Sequence, residues 1–207
     1  PRGWSHMICL NKDGDLWTLT LDRPDKANAL TPDMLSEIAD IAEGAQVAKC
    51  LIITGAGRVF SAGADLDAAR AGLAVSPIWE RVSGAIAALP CLTIAALNGS
   101  LAGGAFGMVL ACDLRILVPT AKFFYPVMKL GFLPQPSDPP RMNALMGPAR
   151  TKMILMAGQK IDAPTALDWG LVDQISEPDV LMTTAKTLAA DVLKADATQI
   201  SGIKGLI

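Results

Sequence analysis

Asn98-Gly99-Ser100-Leu101-Ala102-Gly103-Gly104-Ala105-Phe106-Gly107-Met108-Val109-Leu110-Ala111-Cys112-Asp113 is the stretch on which the reading of this chain turns. The apolar run 93–97 enters it and reads as a buried strand, the paired glycines mark a turn, and the apolar residues after them read as a helix. The first amides of such a helix have no partner within it, so that end can hold an anion. Without side chains at Gly103 and Gly104, a backbone N–H can reach a ligand oxygen directly. Close helix packing accounts for the same glycines equally well.

Outward from this stretch the pattern repeats. Residues 8–10 and 16–21, joined by Lys12-Asp13-Gly14-Asp15, read as a hairpin. Thr31 can cap a helix with Pro32 in its first turn and Met34, Leu35, Ile38, Ile41 and Ala42 on one face. Residues 50–54 read as a strand and 60–66 as a small-residue loop, while Ser76-Pro77 opens a helix that Pro90 stops. Residues 114–118 are again a strand. The segment 134–140 is too rich in proline for regular structure, with a helix expected from about Arg141. Beyond Pro148 three helices are expected, to Ala157, over 162–169 and over 178–193. Strand, turn and helix in series imply α/β units wound one after another.

A chain of 207 residues, 51% of them apolar, has length and material for one well-packed domain. Its 18 basic and 20 acidic residues leave a charge of -2 and no basic run, which argues against nucleic acid or an anionic bilayer as partner. The most apolar region, 85–111, is broken by Pro90, Asn98 and glycines and reads as buried strand and helix, not as a membrane span. Cys9, Cys50, Cys91 and Cys112 have neither CxxC spacing nor disulfide density and read as reduced thiols of a cytoplasmic protein. The one histidine, His6, falls in residues 1–6, which read as an expression-tag remnant before a native Met7. Excluding it removes Ser-His and Cys-His dyads and histidine-based metal sites.

Five segments together resemble the crotonase superfamily, the enoyl-CoA hydratases and isomerases. They are Arg23-Pro24-Asp25-Lys26-Ala27-Asn28-Ala29-Leu30, Phe60-Ser61-Ala62-Gly63-Ala64-Asp65-Leu66, residues 98–113, residues 123–134, and Ala166-Leu167-Asp168-Trp169-Gly170-Leu171-Val172. The resemblance implies an α/β fold, a crotonase-like spiral of repeated ββα units with a C-terminal helical region. It implies one domain over 7–207, with the spiral core to about 145 and the helical region over 146–207. It also implies acyl-CoA thioesters as ligands, coenzyme A entering as part of the substrate with no further cofactor and no metal, and a homotrimer or dimer of trimers. In the family two backbone N–H groups hold the thioester oxygen as an enolate forms, and these correspond to Ala64 and Gly104. The CoA portion is expected along Lys26, Ala27 and Leu30 and along Ala62, Gly63, Asp65 and Leu66.

The chain departs from the family where hydratases carry two glutamates, at positions that correspond to Gly107 and Val127. A general acid or base contributes about 10²- to 10⁴-fold, so isomerisation, decarboxylation or thioester cleavage is expected over hydration. Asp138 stands where relatives have a glycine. It reads as a helix-start carboxylate favoured by the dipole or as a relocated base, since some relatives place a working carboxylate in this turn. Tyr125 reads as a packed tyrosine or as a proton donor. Glu80 is expected on a solvated face, Asp65 to fix its loop through backbone hydrogen bonds, and Asp113 to end the central helix. Gly107 leaves room, and some relatives with glycine there bind bicarbonate as the base. Relatives continue beyond the position of Ile207 with helices that cover the acyl pocket. Two functions follow: an enolate-forming acyl-CoA enzyme with Asp138 or Tyr125 handling the proton, or a non-catalytic acyl-CoA binder or structural subunit.

Overall fold

The computed structural model describes residues 6–207, so the expected tag remnant lies outside the described residues apart from the exposed His6. Two sheets divide the strands. The larger runs in spatial order Ile8–Asp13, Leu16–Leu21, Cys50–Gly55, Leu92–Leu97, Leu114–Leu117 and Gln174–Ile175. Its first pair is antiparallel and the rest are parallel. The smaller runs Val59–Ser61, Ser100–Ala102, Lys122–Phe124 and Ile161–Asp162, parallel except for its last pair.

The chain visits the sheets alternately. Cys50–Gly55 leads to Val59–Ser61, Leu92–Leu97 to Ser100–Ala102, and Leu114–Leu117 to Lys122–Phe124, each pair followed by helix. These turns are the expected ββα spiral. Cys50–Gly55 and Leu92–Leu97 are buried along almost their whole length, as parallel strands covered on both faces must be. The Pro32–Gly44 helix starts where Thr31 Oγ accepts from Met34 N at 3.2 Å, and it buries Met34, Leu35, Ile38, Ala39 and Ala42 on one face. Arg81 of the Ile78–Ala87 helix bonds Asp40 at 2.6 Å and Glu43 at 2.8 and 2.9 Å, clamping the two helices side by side.

Several elements differ from the sequence reading. Residues 60–66 do not form a loop throughout, because Val59–Ser61 joins the smaller sheet. The proline-rich turn gives way to helix at Asp138, ahead of Arg141: Pro139 and Pro140 sit in the first turn of Asp138–Met146, where a missing N–H leaves no bond unmade. Beyond Pro148 come Pro148–Leu155, Ala163–Trp169 and Leu181–Lys194, and then a fourth helix, Ala197–Lys204, that was not expected. Its Lys204 Nζ bonds Cys91 O and Asp113 Oδ2, both at 2.8 Å. Asp113 therefore does more than end a helix, since it also accepts from Thr93 N at 2.9 Å. Cys50, Cys91 and Cys112 are buried free thiols, whereas Cys9 is exposed.

Candidate active site

The Arg23–Leu30 loop lies against the Ser61–Asp65 segment bond by bond. Ala62 N donates to Ala27 O at 2.9 Å, Leu30 N to Gly63 O at 2.8 Å and Asp65 N to Leu30 O at 2.8 Å. Leu30 and Ala64 thus form a parallel bridge. The residue between the two bonded groups of such a bridge turns its own N–H to the other side, so the Ala64 amide faces away from Leu30. Asp65 fixes the loop as expected: Oδ1 caps the next helix, accepting from Asp67 N at 3.1 Å and Ala68 N at 3.2 Å, while Oδ2 takes Arg23 Nη1 at 2.8 Å. The Arg23 guanidinium, and after it the Ala68 amide, hold the Asp65 carboxyl below the usual range.

Asn28 is the hub of this loop. It is fully buried at φ 52°, donates through Nδ2 to Ala56 O at 2.9 Å and Val59 O at 2.8 Å, and accepts from Arg23 N at 2.8 Å. Asn28→Ala breaks all three bonds and leaves Ala56 O and Arg23 N without these partners, while Val59 O keeps Asn98 Nδ2 at 3.2 Å, so it is expected to destabilise the fold by about 2–4 kcal/mol. A denaturant midpoint unchanged from the parent protein would contradict this.

The second glycine loop meets the first. A Cβ on Gly63 would lie 2.9 Å from Ala102 O, and one on Gly103 would lie 3.9 Å from Gly63 Cα. Both glycines hold positive φ, 91° and 58°, which side chains resist. Gly103–Ala105 is a 3-10 turn opening into the Phe106–Leu110 helix, and its leading amides have no intrahelical partner. Behind Gly104 stands Trp79, with three ring atoms 3.2 Å from a Cβ added there and Nε1 bonded to Leu73 O at 2.8 Å. The sequence reading missed Trp79, whose partner is 25 residues away along the chain.

Between the loops opens a cleft of about 190 Å³ whose lining includes Ala64, Gly104, Trp79, Tyr125, Val127 and Leu133. Ala62, Gly63 and Leu66 line it too, Leu66 standing 74% exposed. Lys26 is exposed and Ala27 half-buried beside this strip. Leu30 corrects the expectation of CoA contact: it is fully buried and supports the strip from behind through its two backbone bonds.

Tyr125 reaches the cleft with Asp138 at its back. The Tyr125 ring packs on Phe106 with centroids 5.2 Å apart, and its hydroxyl donates to Asp138 Oδ2 at 2.7 Å. Asp138 is fully buried, and its Oδ1 has no hydrogen-bond partner in the structure. Burial pushes the Asp138 carboxyl up to about 7, with the charge of Glu80 adding to the rise and the Tyr125 bond and Arg141 opposing it. Burial and then the Asp138 charge raise the Tyr125 phenol as well. Asp138 does start the helix, but its carboxylate caps no backbone N–H, and burial outweighs whatever the helix end contributes to its titration.

Gly107 and Asp138 are neighbours in space. A Cβ on Gly107 would lie 3.1 Å from Asp138 Oδ1 and 3.6 Å from Ser83 Cβ. The room expected at Gly107 for a bound bicarbonate is thus filled by the Asp138 carboxylate. Glu80 also corrects its expectation. Half-buried rather than on an open face, it accepts from Ser137 N at 3.0 Å and Ser137 Oγ at 2.5 Å. Among the described residues no carboxylate lines the cleft, no group of three or more His, Cys, Asp or Glu is placed to hold a metal ion, and no helix is long and apolar enough to cross a membrane.

Two sheets joined by a ββα spiral, with two glycine loops meeting at one apolar cleft, make this a crotonase-fold protein. The chain belongs to the enoyl-CoA hydratase/isomerase family, whose model matches residues 11–205. The short-chain-enoyl-CoA hydratase of Clostridium acetobutylicum is 33% identical over 196 residues, spanning 90% of this chain and 75% of that protein. The carnitinyl-CoA dehydratase of Escherichia coli K12 is 33% identical over 211 residues, covering 97% and 79% respectively. Among solved structures, Pseudomonas aeruginosa DspI superposes with a TM-score of 0.89 at 30% identity, over 100% of this chain and 88% of that one. The enoyl-CoA hydratase of Bacillus anthracis gives 0.87 at 28%, over 95% and 80%.

Proposed function

We propose that the protein is an enoyl-CoA isomerase, in which the amides of Ala64 and Gly104 hold the thioester oxygen and Tyr125 relays a proton between the acyl chain and Asp138. The observation that carries this reading is the Tyr125–Asp138 contact of 2.7 Å: Tyr125 lines the cleft and its hydroxyl donates to the buried carboxylate. When the α-proton moves onto the Tyr125 oxygen, the phenol passes its own proton to Asp138 Oδ2, and the acyl chain becomes a dienolate whose charge rests on the thioester oxygen. Return of the proton by the same route to the γ-carbon shifts the double bond. A carboxyl near 7 can both take and give back that proton at neutral pH.

Hydration needs a second group to hold and activate water, and the cleft wall offers no carboxylate for it. Decarboxylation would use only the return step, and thioester cleavage again needs an activated water. The CoA portion follows the strip Lys26, Ala27, Ala62, Gly63 and Leu66, with Asp65 holding its loop in shape. A trimer or pair of trimers in the cytoplasm completes the reading, the buried free thiols agreeing with a reducing compartment.

The test is α-proton exchange in D₂O with 2-enoyl- and 3-enoyl-CoAs, followed by mass spectrometry and by the position of the double bond. Exchange with double-bond migration supports the isomerase. Water addition at the same rate would replace it with a hydratase, and saturable acyl-CoA binding without exchange would leave a non-catalytic binder.

A further inference from the structure

The turn that carries Asp138 is gripped from outside its own helix. Ser137 precedes the Asp138–Met146 helix without capping it, and instead gives both its N–H and its hydroxyl to Glu80. Gln135, two residues earlier, donates through Nε2 to Ala74 O at 3.1 Å and through its backbone N to the Tyr125 hydroxyl at 3.4 Å. The Ile78–Ala87 helix therefore touches the site at three places. Trp79 backs Gly104, Glu80 holds Ser137, and Ser83 stands beside the Gly107–Asp138 contact.

This arrangement has a mechanical consequence. The two prolines after Asp138 supply no backbone N–H, so without Glu80 the N–H and hydroxyl of Ser137 lose their partners and the turn keeps only Asp138 N to Gln135 O at 3.0 Å and Arg141 N to Ser137 O at 3.3 Å. A shift of a fraction of an ångström there would stretch the Tyr125–Asp138 bond, the contact on which the proposed proton relay depends.

We propose that Glu80 is a positioning residue for proton transfer: by holding Ser137 at both N and Oγ it fixes the turn that sets Asp138 against Tyr125. The proposal rests on the Tyr125–Asp138 reading above. Three charged or titratable groups face Asp138: Tyr125 from the segment after the Lys122–Phe124 strand, Glu80 from the neighbouring helix and Arg141 from its own. Of these only Glu80 repels the ionised carboxylate and at the same time holds the backbone of the residue before it, Ser137.

Tyr125 is the sole tyrosine of the chain, so a ring-¹³C tyrosine label reports on this site alone. In the parent protein its NMR shift should follow the ionisation of Asp138 with an inflection near pH 7. Glu80→Gln keeps an acceptor for Ser137 N and a partner for Ser137 Oγ but removes the charge. The inflection should move to lower pH by about one unit, with the ring signal still sharp. Glu80→Ala releases the turn. Its α-exchange turnover should fall about tenfold or more with KM for acyl-CoA unchanged, while Glu80→Gln retains most of the rate. Inflection and turnover unchanged in both variants would overturn the role of Glu80 and leave the Tyr125–Asp138 pair standing. A parent protein without the inflection, or one whose inflection survives Asp138→Asn, would remove the pair itself.

Discussion

Asp138→Asn lowers α-exchange turnover by about 10²- to 10⁴-fold, the usual contribution of a general base, and makes the protein more stable above neutral pH. The two effects have one cause. The carboxyl titrates near 7 in the folded protein and near 3.9 when unfolded, so the folded state binds the proton more tightly. The stability this gives is complete below about pH 4 and is lost as pH rises through about 7. Three pH units correspond to about 4 kcal/mol, an upper figure for what the ionised Asp138 takes from stability at pH 8. Asparagine keeps an acceptor for the Tyr125 hydroxyl and cannot ionise. Its amide nitrogen stands where Oδ1 already lacks a partner, which costs about 1–3 kcal/mol and leaves a net gain of similar size at pH 8. Denaturant unfolding at pH 5 and pH 8 checks the sign: the parent should lose stability across that interval and the variant should not. A parent curve flat over the interval would mean that burial does not raise the Asp138 carboxyl.

A buried carboxylate that destabilises the fold when ionised, if it serves the proposed proton transfer, is a familiar trade of stability for activity. It is also the part of this protein that the sequence conveys least. The hairpin, the Thr31 cap and the 98–113 stretch were legible because their signals are local: a turn pair, a hydroxyl three residues before its amide, apolar spacing. The smaller sheet was not, since three-residue strands such as Val59–Ser61 and Ser100–Ala102 are too short to show alternation and pair only across some forty residues. The resemblance to the family pointed to Ala64 and Gly104 as the proposed backbone donors, whereas Trp79 and Glu80 have partners that only the spiral brings near. Asp138 kept two readings for the same reason. Burial is a tertiary property, and nothing within a few residues of Asp138 distinguishes a cap from a carboxylate sealed behind a phenol.

Gly107→Glu is expected to be the most damaging substitution in the site, destabilising by more than about 4 kcal/mol, and to be rescued by a second change at Asp138. The sequence presents Gly107 and Asp138 as separate departures from the family, one position lacking an expected carboxylate and the other carrying an unexpected one. Packing joins them, because the first side-chain atom at 107 would come within 3.1 Å of Asp138 Oδ1. The Phe106–Leu110 helix is buried throughout, so a glutamate there can neither turn to solvent nor avoid Asp138. Overpacking alone typically costs about 1–3 kcal/mol, and a second carboxylate brought against the first in a dry site adds repulsion and desolvation. At pH 5, where Asp138 is protonated and removing it relieves no buried charge, Asp138→Gly alone should cost only about 1–3 kcal/mol, for the unpaired Tyr125 hydroxyl and the space left behind. In the double variant that space receives the new side chain, whose carboxylate can accept from Tyr125, so the measured coupling should reach about 2–3 kcal/mol in the stabilising direction. Unfolding free energies of the parent, both single variants and the double variant close the cycle. Strict additivity would mean that the two positions are independent, and the view of Asp138 as the carboxylate standing in the space left by Gly107 would have to be given up.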